Sequence, residues 1–469
     1  MNPLVGKLYA LAPVWGQNLL LSGFGKMLDR ERYSGRFAEF HDLLAKTEWY
    51  SRQDVEAYQD EQLRVVVAHA YETVPFYRRT FDERKLTPAD VRGRADLPKL
   101  PLLSRDDIRR HFNDLRSTAL PTRGMRSGHT SGTTGTPLTV GYDRDTVWMT
   151  YAVFDRHYRW AGAKMGRDGN RIAVARGNVI VPLSQRTAPF WRENRQHRQL
   201  LLSSFHMSQQ NLPAYFDALA AYAPDVIDGY PSTLYVLASH LKSRGETFPV
   251  KAAVTSSETL YDFQRQLIEE RFQCRVFDYY ALAERVVFSG ECDRHEGHHL
   301  SSEYGIAEVV DSTGHPVTDG TVGRLVGTSL HNRAMPLLRY VTNDLTALRT
   351  SACSCGRGLQ CMDDVTTKAE DMLTLPDGRI ISPSVLTHPF KPLDCIEGSQ
   401  IVQTAKDRVV IRIVAGAGYT TAHTQHLLTE FRARLGEGVH IDIERVDRLE
   451  VSANGKFKWV TSAVRFDLG

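Results

Sequence analysis

The sequence predicts an α/β protein with a large N-terminal domain, a helical N-terminal extension and a small α+β C-terminal domain. Three observations carry this. The first hundred residues show helical apolar spacing. From about 125 to 345, short apolar runs alternate with helical patterns. The last hundred residues turn to strands of two-residue alternation around one helix. A chain of 469 residues, 42% hydrophobic and 24% charged, has ample material for a core, which excludes a mostly disordered chain, a collagen and a long coiled coil.

At the N-terminus two apolar stretches, Leu8–Trp15 and Leu19–Leu21, are separated by Gly16, Gln17 and Asn18. Without a charged start and a small-residue cleavage site they predict an amphipathic packing helix rather than a signal peptide. A membrane-surface anchor is the alternative. No run of 18 apolar residues exists, so no transmembrane helix is expected. Asp54–Tyr71 places Val55, Leu63, Val66, Val67 and Ala70 at helical spacing. After Pro98 and Pro101, Ser104 precedes two acids and predicts a capped helix start.

Arg171–Ala175, Val250–Thr255 and Arg275–Tyr280 read as buried strands. Leu212–Tyr222, Pro231–Arg244 and Phe263–Phe272 read as the helices between them, with Ser232 as a cap. The alternation predicts a parallel or mixed sheet. Later, Val409, Ile411 and Ile413 alternate, then Thr420–Leu435 forms a helix stopped by Gly436, then Val439, Ile441 and Ile443 alternate. The boundary before this unit falls near Thr366–Asp371.

Net charge is +3, with acids and bases interspersed, so a nucleic-acid partner is not expected. The six cysteines do not make a disulfide framework in a chain of this length. Three of them, Cys353, Cys355 and Cys361, cluster, which points to metal or thiol chemistry in a reducing cytoplasm. Cys292-x6-His299 with Cys353-x-Cys355 gives two pairs of borderline-soft ligands suited to a closed, structural Zn²⁺ site, and Gly356 allows the tight turn. His298 is a rival ligand and Cys361 a spare one; buried free thiols are the alternative.

The most informative segment is Thr130-Ser-Gly-Thr-Thr-Gly-Thr-Pro137. Thr130, Ser131, Thr133, Thr134 and Thr136 offer hydroxyl donors, and Gly132 and Gly135 let the backbone close on an anion. No Gly-Lys-Ser/Thr ending follows, so this is not the P-loop of the common NTPases. Its neutral donors need positive charge from elsewhere.

The loop resembles the phosphate-binding loop of the adenylate-forming superfamily, and the chain looks closest to the phenylacetate-CoA ligase branch and its CapK-like members. Further matches follow in order: Ser256-Ser257-Glu258 after a strand, Tyr280-Ala-Leu-Ala-Glu284, Arg339-Tyr-Val-Thr-Asn-Asp344 and Gly455-Lys456. The resemblance implies a multi-sheet adenylation domain over 1–369, mostly helical over 1–120, and a small mobile domain over 370–469. It implies that the Thr130–Thr136 loop, Ser257, Glu258 and Tyr280 bind ATP, that Asp344 holds the ribose, that Glu284 binds Mg²⁺, and that Lys456 is the catalytic lysine. Lys458 is the competing lysine. The Cys…His…Cys-x-Cys zinc set also occurs in that branch.

The implied reaction joins a small carboxylic acid to ATP as an acyl-adenylate, releases pyrophosphate and passes the acyl group to a thiol, coenzyme A first. An acyl-carrier protein or an amine is an alternative acceptor, and a homodimer is compatible. The pattern also departs from the family. Ala281 and Ala283 replace a glycine and a threonine, and the hinge motif reads Thr367-Lys-Ala-Glu-Asp371, with Lys368 in place of arginine and Glu370 as the hinge acid. These favour a second reading, a degenerate adenylation fold with a non-catalytic role. A third, a metal-dependent ATPase, has no evident base for an attacking water. Residues 176–182, 228–232 and 256–260 are expected to line the acid pocket.

Overall fold

The computed structural model describes residues 3–121, 125–129, 138–365, 372–381, 383–390, 392–393, 395–449 and 458–464. Five helices lead: α1 (Pro3–Leu11), α2 (Val14–Arg32), α3 (Phe37–Thr47), α4 (Arg52–Thr73) and α5 (Pro75–Glu83). In α4 the Ser51 side chain accepts from the Asp54 amide at 3.1 Å, and the five apolar positions read from the sequence are buried. Each of the four larger ones, Val55, Leu63, Val66 and Val67, contributes about 1.5–3 kcal/mol on leaving water. The short α6 (Arg105–Arg110) starts at Ser104, whose hydroxyl and amide exchange hydrogen bonds with Asp107.

There follow β1 (Arg126–His129), β2 (Thr139–Tyr142), α7 (Arg144–Trp160), β3 (Ile172–Ala175), β4 (Trp191–Asn194), β5 (Gln199–Leu202), α8 (Leu212–Tyr222), β6 (Val226–Gly229), α9 (Pro231–Ser243), β7 (Ala252–Ser256), α10 (Asp262–Phe272), β8 (Arg275–Ala281), β9 (Phe288–Glu291) and β10 (His298–Leu300). With β14 (Cys361–Met362), eight of these strands build a nine-stranded sheet in the order β14-β10-β9-β8-β7-β6-β3-β5-β4. Its centre, β5-β3-β6-β7-β8, is parallel, and its two margins are antiparallel. The strands β11 (Gly305–Val310), β12 (Gly323–Ser329) and β13 (Tyr340–Thr346) form a separate antiparallel sheet.

Beyond it lie β15 (Leu373–Thr374), β16 (Ile380–Ile381), α11 (Pro383–Leu386), β17 (Ile396–Ala405), β18 (Arg408–Ala415), α12 (Thr421–Leu435), β19 (His440–Arg445) and β20 (Val460–Ser462). The order β19-β18-β17-β20 makes a four-stranded sheet, with α12 crossing between the parallel pair β18 and β19. Phe431, Phe390 and Trp459 lie in its core. Thr420 caps α12, and Gly436 ends it at φ 94°, a conformation that favours glycine.

Two local expectations change. Ser232 does not cap α9; Glu258 of the loop after β7 accepts from the Ser232 amide at 3.1 Å instead. The N-terminal helix does not pack through its apolar side: Trp15 is 73% and Leu19 67% exposed, while Gln17 is buried. Among the described residues no helix is long and apolar enough to cross a membrane.

Candidate active site

The parallel strands β3, β6, β7 and β8 all end on one edge of the large sheet, where open α/β sheets place ligands. Four sequence-predicted segments follow those ends: Arg176, Tyr230, Ser257 and Leu282–Glu284. Tyr280, near the end of β8, donates its hydroxyl to Asp344 Oδ2 of β13 at 2.6 Å. Tyr340, also on β13, donates to Glu284 Oε1. So the two acids assigned to ribose and magnesium are each held by a phenol where the two sheets meet. Burial, then the neighbouring carboxylate, lifts the pKa of both tyrosines well above the usual value, so both remain donors.

The segment 130–137 lies outside the described residues, but its approach does not. Gly128 on β1 sits so close to the turn after β8 that a Cβ there would stand 3.3 Å from the Ala283 carbonyl oxygen. Arg285 stacks on Tyr142 of β2 at 4.0 Å and donates to Thr150 at 2.8 Å. The strands that bracket the loop therefore run beside Glu284. Lys368, Glu370 and Lys456 also lie outside the described residues. Lys458 is described just before β20, with its carbonyl accepting from Gln400 at 3.0 Å.

At the ends of β3, β6 and β7 sits a buried polar network. Arg176 donates from Nε to Asp228 Oδ1 at 2.9 Å, from Nη1 to Ser256 Oγ at 2.9 Å, and from Nη2 to the Tyr279 hydroxyl at 3.1 Å. Tyr158 closes it on Asp228 Oδ2 at 2.5 Å. Burial works against the Arg176 charge, but Asp228 outweighs it and holds the guanidinium pKa well above the usual value. Ser257, next in line, takes φ 72°, which costs energy in a residue with a Cβ and marks a loop held by its surroundings. Glu258 turns one oxygen to the N-terminus of α9. Sequence reasoning placed these segments in a pocket but missed the Arg176–Asp228 pair and Tyr340. Both are contacts across strands, for which one sequence carries no signal.

The cysteine–histidine set assembles away from that edge. One ligand atom from each of Cys292, His299, Cys353 and Cys355 lies within 4.8 Å of all the others. Alternation along β10 separates the two histidines: His299 Nε2 faces Cys355 Sγ at 3.4 Å, while His298 turns to Asp364 at 3.2 Å. Cys361 stands on the far side of the His299 ring, 3.4 Å from Nδ1. The amides of Arg294 and Arg357 point at the sulfurs of Cys292 and Cys355 at 3.4 and 3.5 Å, as suits thiolates. Gly356 turns at φ 83°. The donor set and its amides fit a closed tetrahedral zinc site.

The CapK C-terminal domain family matches residues 373–463. Phenylacetate-coenzyme A ligase of Thermus thermophilus is 32% identical over 69% of this chain and 72% of its own length. The same-named protein of Aromatoleum evansii is 30% identical over 71% and 74%. Protein CapK of Staphylococcus aureus is 24% identical over 98% of this chain and all of its own length, 100%. Among solved structures, 2-hydroxyisobutyryl-CoA ligase in complex with 2-HIB-AMP and CoA, in the thioesterification state, superposes with a TM-score of 0.57. It covers 89% of this chain and 91% of its own at 19% identity, a likeness of fold.

Proposed function

The chain belongs to the phenylacetate-coenzyme A ligase family of adenylate-forming enzymes, and from that premise we propose how its own residues carry out AMP-forming acid:CoA ligation. A carboxylate oxygen of the acid attacks the α-phosphorus of ATP and pyrophosphate leaves. The thiolate of coenzyme A then attacks the acyl carbon and AMP leaves. One observation carries the reading onto this chain: Tyr280–Asp344 and Tyr340–Glu284 stand together where β8 meets β13.

In this reading Asp344 accepts the ribose hydroxyls, with Tyr280 fixing its carboxylate. The donors of Thr130–Thr136, with Ser257 and Glu258 nearby, hold the phosphates. Glu284 has a second oxygen beyond the one bonded to Tyr340, a hard donor suited to Mg²⁺. The metal would supply charge neutralisation on the triphosphate. Lys456 meets the carboxylate and α-phosphate as two anions approach, where positioning and electrostatics dominate the barrier. The unit 370–469 turns about Glu370, with Lys368 beside it, to deliver that lysine and then withdraw it. Cys292, His299, Cys353 and Cys355 hold a structural Zn²⁺.

The test is acid-dependent exchange of labelled pyrophosphate into ATP across a panel of acids, followed by thioester formation when coenzyme A is added. Ala281 and Ala283 favour a second reading, a degenerate fold without catalysis. That reading requires no exchange with any acid. Phosphate release without an acid would instead mean an ATPase.

A further inference from the structure

Helix α2 is mounted with its polar side inward. Gln17 is buried and accepts from Arg192 of the edge strand β4. Asn18 accepts the Glu193 amide and Ser22 the Arg195 amide, both at 3.0 Å. Two turns further on, Asp29 accepts from the Gln196 amide group and faces the His197 ring, both at 2.6 Å. In α1, Tyr9 donates to the Ile180 carbonyl at 2.5 Å. Hydrogen bonds, rather than apolar packing, therefore fix this pair of helices to the sheet edge.

The apolar side chains point the other way. Leu8 is 68% exposed, Leu11 85%, Trp15 73%, Leu19 67%, Phe24 53% and Met27 54%. On α2 they spread over the outward half of the helix, opposite the polar side that meets β4, with Lys26 and Arg30 among them. Large apolar side chains held together in water mark an interaction surface.

Charge indicates what covers it. Residues 1–28 contain no Asp or Glu. The first acids, Asp29 and Glu31, are spent inward, on His197 and on Arg126 at 2.5 Å. Lys26 and Arg30 are exposed and make no ion pair among the described residues. A second copy is a poor match, because pairing this segment with itself sets cation against cation with no free acid to answer. A leucine-rich outward side with tryptophan and phenylalanine, cations among them and no helix both long and apolar enough to cross a bilayer among the described residues, matches a helix lying in the interface of an anionic membrane.

We propose that the outer face of α1 and α2 docks the enzyme on an anionic lipid surface, with Leu11, Trp15, Leu19 and Phe24 entering the boundary between headgroups and acyl chains. This goes beyond the ligase reading and does not depend on it. The full chain should co-sediment with phosphatidylcholine–phosphatidylglycerol vesicles at low salt, more weakly at high salt, and poorly with phosphatidylcholine alone. Combining Trp15→Ser, Leu19→Ser and Phe24→Ser should cut binding roughly tenfold or more. These side chains are exposed, so the fold should survive, which circular dichroism checks. Lys26→Glu with Arg30→Glu should lower binding to the anionic vesicles only. Absence of wild-type binding to anionic vesicles at low salt overturns the proposal, as does full binding by the triple serine variant. A wild-type dimer that this variant makes monomeric, without vesicle binding, overturns it in favour of a second copy.

Discussion

The Tyr280–Asp344 contact divides the work between two side chains, and single substitutions should separate them. Asp344→Ala removes the partner of Tyr280 and, in the proposed reading, the acceptor for the ribose. The KM for ATP in pyrophosphate exchange should rise about tenfold to a hundredfold, the range for losing a hydrogen bond to a charged group. Tyr280→Phe leaves the carboxylate in place but less well oriented, so its effect should be several times smaller. Equal effects would mean that Tyr280 itself binds nucleotide. Another residue-scale prediction concerns pH. Burial lowers the His157 pKa from 6.5 to about 3. Between those values the unfolded chain takes up a proton that the folded chain refuses, so stability falls as pH drops below 6.5. Asp278, raised by burial to about 7, works in the opposite direction, since acid protonates it first in the folded state. Comparing His157→Phe with the parent isolates the histidine. From pH 7 to pH 5 the variant should lose less stability in urea, by up to about 1.4 kcal/mol per pH unit.

At the scale of elements, the cysteine–histidine cluster shows how much was legible and why. Its four ligands were readable because soft donors at short spacings are rare, and Gly356 signalled the turn. Spacing favoured His299 over its neighbour His298, and the structure brings His299 to the three cysteines. That pairing rests on which face of β10 meets the Cys353–Cys355 turn, a fact of register and the limit of such reading. The same limit hid Tyr340 beside Glu284, whereas the elements read from local periodicity, such as β3, β7, β8, α8, α9, α10 and α12, lie within a residue or two of their expected bounds; the central strand β6 and helix α7 were not read. The inverted α2 escaped for another reason: periodicity shows that a helix has an apolar side but not which way it is mounted. The Cys353–Cys355 turn also has a mechanical partner. At Gly358 a Cβ would stand 2.0 Å from the Tyr50 carbonyl, beside the start of α4. Because that obstacle is backbone, Gly358→Ala should cost about 1–3 kcal/mol in chemical denaturation. Cys353→Ser should lose bound zinc, assayed by elemental analysis, and lose stability with it. Chelator treatment of the parent should reproduce that loss, while the serine variant shows no further change.

Over the whole molecule, the reading requires two arrangements of one chain. The four-stranded sheet around α12 packs a core that also takes in Phe205 and Tyr230 of the large unit, and residues 366–371 connect the two in sequence. If residues 370–469 turn as a unit, Lys456 is present for the first half-reaction and absent from the second. Its ammonium would neutralise charge as the carboxylate nears the α-phosphate, and alanine cannot. Lys456→Ala should therefore slow acid-dependent pyrophosphate exchange by roughly a hundredfold to a thousandfold, equivalent to about 3–4 kcal/mol of lost transition-state contact. ATP affinity should change little, because in this reading the large unit holds the nucleotide. Thioester formation from a chemically made acyl-adenylate should proceed at the parent rate, since that step no longer needs the lysine. Lys458 supplies the internal control. Its backbone is tied to Gln400 and it precedes the buried Trp459, which anchors this end of the chain in the small sheet. Lys458→Ala should leave exchange near normal. If the two variants exchange roles, the reacting cation is Lys458. If both half-reactions fall together in Lys456→Ala, the lysine serves a single fixed site and the two-arrangement account fails.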